Sequence, residues 1–110
     1  MDCVFCRIVN GDIPSRRVFE DGDIVAFHDV APQAPTHVLV IPRRHVTSLA
    51  ELDDPALAGR LLHVAAEVAK SLGLQGGYRV VVNTGPDGGQ TVDHLHLHVL
   101  GGRSLTWPPG

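Results

Sequence analysis

A chain of 110 residues is long enough for one packed domain, residues 1–110, and too short for two. Its hydrophobic share of 44%, net charge of −3 and pI near 6.1 offer no basic surface for nucleic acid. No run of 18 apolar residues could cross a membrane and no basic-then-apolar leader opens the chain, so the expected location is the cytoplasm.

The predicted elements begin with Met1 to Asp12, a short helix or turn ending near Gly11, which carries the C-x-x-C pair Cys3 and Cys6. In a reducing compartment that spacing is more often half of a metal site than a disulfide. Arg17–Glu20 and Asp23–His28 alternate apolar and polar residues around Asp21-Gly22, a hairpin signal. A proline-containing loop leads to Thr36–Ile41, a β-branched third strand that Pro42 ends. Asp53-Asp54-Pro55 supplies a helix N-cap with proline in the first turn. Leu57, Leu61, Val64, Ala65, Val68 and Leu72 then recur at helical spacing up to Gly73, a C-cap glycine. His63 lies off that apolar stripe and reads as a solvated residue. Tyr78–Asn83 is a fourth strand, Thr84–Gln90 a glycine-rich loop, and Val92–Leu100 the last strand. Short connections favour a mainly antiparallel five-stranded sheet with the long helix on one face, an α+β fold.

Seven histidines are many for so short a chain, and three of them, His94, His96 and His98, alternate with Leu95, Leu97 and Val99. On a strand this puts the histidines on one face, about 6–7 Å apart, and the apolar residues on the other, under the helix. A merely solvated strand would use threonine or lysine as readily. Three histidines facing a ligand suit either metal chelation or nucleophilic attack. A single zinc shared by the outer pair is disfavoured, because they lie about 13 Å apart on a flat strand against ligand distances of about 2 Å. A neutral imidazole can attack phosphorus and split one displacement into two easier ones. Gly85, Gly88 and Gly89 would let a loop bring backbone N–H groups to an anion, with Gln90 and Thr91 adding side-chain donors and Asn83 at the end of the preceding strand.

The run from Gly88 to Arg103, with His94-Leu95-His96-Leu97-His98 at its centre, resembles the signature of the histidine triad (HIT) superfamily. Phe27-His28-Asp29, Pro32 to His37, Ile41 to His45 and Trp107 to Gly110 resemble its Hint branch. The resemblance implies a homodimer that hydrolyses purine nucleoside phosphoramidates such as AMP joined to an amine, needing no organic cofactor. It makes His96 the nucleophile, sets His98 on the phosphate and His37 in the hydrogen-bonded histidine set, and gives Asn83, Gly89, Gln90 and Thr91 to the phosphate, Thr91 also assisting the leaving group. Asp29 would bind the ribose hydroxyls. Phe5, Ile8, Ile13, Phe27, His28 and Val30 would line the base pocket, although Phe5 and Ile8 read equally well as core. Trp107 would reach the partner subunit's site. In bacterial relatives two cysteines join two histidines, which here implies a structural zinc on Cys3, Cys6, His45 and His94.

Two positions depart from the Hint pattern: Thr91 replaces a serine and is shared with the dinucleoside-polyphosphate-cleaving branch, and Asp93 stands where an aromatic residue is common. Rival readings are a dinucleoside polyphosphate hydrolase, a nucleotidyl transferase, a zinc hydrolase and a nucleotide-binding module without turnover.

Overall fold

A computed structural model describes residues 3–110; Met1 and Asp2, the start of the expected N-terminal helix, lie outside the described residues. The elements run α1 (Val4–Val9), β1 (Arg17–Glu20), β2 (Ile24–His28), β3 (Thr36–Pro42), a 3-10 turn (Leu49–Glu51), α2 (Pro55–Ser71), β4 (Tyr78–Val81) and β5 (Leu97–Gly101). Every strand pairing is antiparallel, in the order β1-β2-β3-β5-β4. The α+β class with one long helix and a short N-terminal one is as the sequence implies.

Local chemistry explains the elements. The Asp21 carboxylate accepts the N–H groups of Asp23 and Ile24, both at 2.8 Å, so the aspartate makes the β1–β2 turn. Asp54 caps α2 by accepting the Leu57 N–H at 3.1 Å. The helix ends at Gly73, φ +74°, with the Gly73 N–H on the Lys70 carbonyl and the Leu74 N–H on that of Ala69. That pair of bonds defines a Schellman stop.

Both faces of the sheet are covered. Ile24, Ala26, Val38, Val40, Leu97 and Val99 join Leu57, Leu61, Val64 and Val68 of α2 in the main core. Val25, Phe27, Leu39 and Ile41, alternating with them, pack instead under Phe5 and Ile8 of α1. The second face is therefore not left wholly to solvent or ligand, as the strand pattern alone suggests. His63 is exposed and sits 3.7 Å from Glu67, as expected off the stripe.

The last strand differs most from expectation. It begins at Leu97, not Val92, so His94 and His96 precede it. Val40 with Leu97 is the last β3–β5 pair. Beyond it the Leu95 N–H bonds to the Val46 carbonyl at 2.6 Å, and the Pro42 carbonyl takes the His94 ring instead of a ladder partner. β4 likewise stops at Val81 rather than Asn83, whose side chain turns into the following loop. The alternation of faces survives without the ladder: Leu95 lies in the main core, and the His96 ring meets Phe5.

Candidate active site

A cleft of about 840 Å³ opens where β2, α1 and the His96–His98 segment meet. Its apolar walls are Phe5, Ile8, Ile13, Phe27 and Leu39, and its polar lining includes His28, Asp29, Thr91, His96 and His98, with Asp29 close to His98. His96 is 5% exposed. Its Nδ1 lies 2.7 Å from the His94 carbonyl, an acceptor only, so Nδ1 carries the proton and donates it. The lone pair of Nε2 is thereby left free. The Phe5 ring stands edge-on at 5.1 Å and braces the imidazole.

His98 is held in a different state. The Gln33 backbone N–H donates to His37 Nδ1 at 3.0 Å, which forces the proton of neutral His37 onto Nε2. That proton points at His98 Nδ1, 2.8 Å away, so His98 carries its own proton on Nε2. The relay makes one histidine a base and its neighbour a donor. Burial lowers the pKa of His37, with the Asp29 carboxylate 3.4 Å away opposing part of that effect. His98 is lowered to about 4, by burial first and then by its neighbours His96 and His37. Asp29, His37 and His98 also bring three ligand-type atoms within 4.8 Å of one another. A proton accounts for that approach better than a cation, because the Gln33 N–H occupies Nδ1 and a metal at Nε2 would strip the ring of its last proton.

The glycine-rich loop is self-contained. Asn83 donates to the Gly88 carbonyl at 2.6 Å, and the N–H groups of Gly89 and Gln90 bond to the Pro86 and Gly85 carbonyls. The Gln90 amide accepts the Gly85 N–H and donates to the carbonyls of Thr47 and Val92. A Cβ on Gly88 would lie 2.4 Å from the Thr84 carbonyl oxygen, so only glycine fits. Sequence reasoning sets Asn83, Gly89 and Gln90 on the phosphate. In the structure their named donors fasten the loop, and of the four residues Thr91 is the one that lines the cleft.

A second group of side chains meets around His94. Cys3 and Cys6 sit one turn apart at the start of α1, where the Cys6 N–H donates to Cys3 Sγ at 3.4 Å. Cys3 Sγ lies 3.4 Å from His94 Nδ1, and Cys6 Sγ lies 3.4 Å from His45 Nδ1 and 3.6 Å from His94 Nδ1. Ligand distances of about 2.3 Å to sulfur and 2.0 Å to nitrogen give a tetrahedral S–N edge of about 3.5 Å, so these four residues match zinc. His94 is fully buried, and its Nε2–H donates to the Pro42 carbonyl at 2.9 Å, which presents Nδ1 as the ligand. Burial and the adjoining Cys3 push the Cys6 thiol up, an effect that a bound cation reverses.

Two residues named from the sequence stand apart. Val30 is 99% exposed at the rim, and Trp107, 81% exposed, is outside the cleft of its own chain. Ser15, Arg16 and Val92 line the cleft without having been singled out. The Gln33 N–H was equally invisible, since a backbone donor leaves no trace in a sequence pattern.

Residues 10–105 match the HIT domain family. The chain is 50% identical to a 14 kDa zinc-binding protein of Zea mays, over 97% of this chain and 87% of that protein. Among solved structures, a HIT family hydrolase from Legionella pneumophila superposes with a TM-score of 0.95 at 48% identity, covering 99% of this chain and all of that one. A histidine triad nucleotide-binding protein from Candida albicans gives a TM-score of 0.84 at 34% identity, covering 97% of this chain and 83% of that one.

Proposed function

Since the chain belongs to the HIT domain family, we propose that it is a nucleotide-binding hydrolase that cleaves purine nucleoside 5′-phosphoramidates through a covalent nucleotidyl-histidine. The observation that carries this reading is the opposed protonation of two adjacent rings. His96 has a free Nε2 lone pair because the His94 carbonyl takes its Nδ1 proton, whereas His98 bears its proton on Nε2.

The reaction follows from that arrangement. His96 Nε2 attacks the α-phosphorus, forming the N–P bond as the P–N bond to the amine breaks. The departing nitrogen keeps the electron pair and takes a proton relayed from solvent by the Thr91 hydroxyl. His98 Nε2–H donates to a phosphate oxygen, where negative charge grows in the transition state. Water then attacks the phosphorus, releasing AMP and restoring His96. The apolar walls Phe5, Ile8, Ile13 and Phe27 take the base, with His28 and Val30 at its edge, and Asp29 takes the ribose hydroxyls. Asn83, Gly89 and Gln90 act by holding the loop that presents Thr91.

Cys3, Cys6, His45 and His94 would hold a zinc ion whose contribution is structural, closing α1 onto the sheet. A homodimer joined along the sheet suits β4, which lies at the sheet edge, and would carry the exposed Trp107 toward the partner's cleft. A monomer mass at micromolar concentration would count against that assembly.

The test compares the protein with its His96→Ala variant on an adenosine 5′-phosphoramidate, following amine release with and without chelator. Turnover by the parent protein alone, and its survival in chelator, is the expected result. AMP binding without turnover by either protein would leave a nucleotide-binding module in place of the enzyme.

A further inference from the structure

We propose that a second cleft, beside Thr91, receives the departing amine, and that Asp93 selects leaving groups carrying a further cationic nitrogen. This rests on the phosphoramidase reading and specifies its substrate class. The cleft measures about 540 Å³ and shares Val4, Thr91 and Val92 with the larger one, so the two adjoin along a common wall. A phosphoramidate must house two groups on its phosphorus, and in-line displacement sends the amine away from the attacking His96. With the nucleoside in the large apolar cleft, the space across Thr91 is left for the amine. Thr91 is also the residue assigned to that nitrogen's proton.

Charge narrows the class. Thr47, Thr91, Val92 and Asp93 form the accessible walls, while Cys3 and His45 belong to the metal-type cluster. Among the described residues lining this cleft, Asp93 is the one acidic side chain, and neither lysine nor arginine is present. The Asp93 carboxylate is exposed and appears in no hydrogen bond or ion pair of the described residues, so it is free to take a ligand's cation. Its backbone is not loose: the next ring, His94, is fully buried and the Leu95 N–H is bonded to Val46. An ammonium on the amine would meet this carboxylate. A nucleoside phosphate leaving group would meet the same negative charge and be repelled, which disfavours dinucleoside polyphosphates as substrates.

The experiment measures kcat/KM for two adenosine 5′-phosphoramidates, of 1,3-diaminopropane and of propylamine, in the parent protein, Asp93→Asn and Asp93→Lys. The quantity read is the ratio of the cationic to the neutral substrate; comparing ratios between proteins cancels the difference in amine basicity. One exposed ion pair corresponds to a preference of up to about fivefold. The ratio is expected to fall about threefold or more in Asp93→Asn, to fall further in Asp93→Lys, and to shrink with added salt in the parent protein. Equal ratios in all three proteins, with both amines released, would overturn the Asp93 assignment alone. Release of neither amine by the parent protein would overturn this proposal together with the phosphoramidase reading. Thermal midpoints and zinc content, expected to match among the three, report whether a changed ratio reflects a disturbed fold.

Discussion

Protonation of His98 gives a quantitative check on the relay. Its pKa stands at about 4 instead of 6.5 because the ring is buried and adjoins two other histidines. Between those values the unfolded chain binds the proton more readily than the folded one, so stability rises with pH across this window. Acidification from pH 7 should remove it between about pH 6.5 and 4, with no further loss from this group below. At 1.36 kcal/mol per pH unit the ceiling is about 3.4 kcal/mol. Partial solvent access reduces the expected loss to about 2 kcal/mol, a sizeable share of a total stability of roughly 5–15 kcal/mol. A second proton on His98 would also set its Nδ1–H against the His37 Nε2–H, two donors facing each other at 2.8 Å. Urea denaturation at several pH values, run on the protein and on His98→Asn, isolates the effect. The asparagine Oδ1 can still accept from His37 but does not titrate, and losses at His37 or the cysteines act in both proteins. The two stability curves should converge toward pH 4 and separate by about 2 kcal/mol at pH 7, after allowing for a constant offset. Parallel curves would refute both the placement of His98 and its assigned protonation.

Two further outcomes follow from individual contacts. Gly88→Ala puts a methyl carbon 2.4 Å from the Thr84 carbonyl and must displace the loop; a cost of about 1–3 kcal/mol in denaturant midpoint and a higher KM are expected, whereas Gly22→Ala, with open space around it, should cost little. His37→Leu leaves His98 Nδ1 without its donor and frees the ring to reverse its tautomer; kcat should fall about tenfold or more while the AMP affinity changes less, which a pH–rate profile and an AMP titration would separate.

The sequence patterns that proved legible are those in which the side chains themselves make the structure. Helical periodicity in α2 named its buried stripe because that stripe packs on the sheet, and Asp54 and Gly73 marked its ends by bonds that their residue types favour. The triad was also legible, since alternation puts His96 and His98 opposite Leu97 and Val99 whether or not a ladder forms. That same property hid the start of β5: a segment that alternates faces but bonds to Val46 only through the Leu95 N–H looks, in sequence, like a strand. Side-chain amides were harder to read. Gln90 offers donors beside a phosphate-type loop, yet only the folded loop reveals that its amide is engaged with Gly85, Thr47 and Val92. The cover that α1 places over the histidine face was equally hidden, because Phe5 and Ile8 serve core and cleft alike.

His94 links the two sites. Its ring contributes Nδ1 to the Cys3, Cys6 and His45 cluster, while its backbone carbonyl accepts the His96 Nδ1 proton and so sets the tautomer of His96, the proposed nucleophile. The residues that would hold zinc thus also fix the carbonyl against which His96 is oriented. Cys6→Ser keeps the helix and the cleft walls but replaces a thiolate with a poor zinc ligand. Zinc affinity, measured by competition with a chromogenic chelator, should fall about 10-fold to 100-fold or more, and the thermal midpoint should drop with it. Loss of this anchor should lower kcat more than it raises KM, because its direct effect falls on the carbonyl that orients His96. Chelator on the parent protein should leave turnover in place for as long as zinc remains bound. A Cys6→Ser protein with full zinc content and an unchanged midpoint would remove the metal cluster from the account, and with it the coupling through His94.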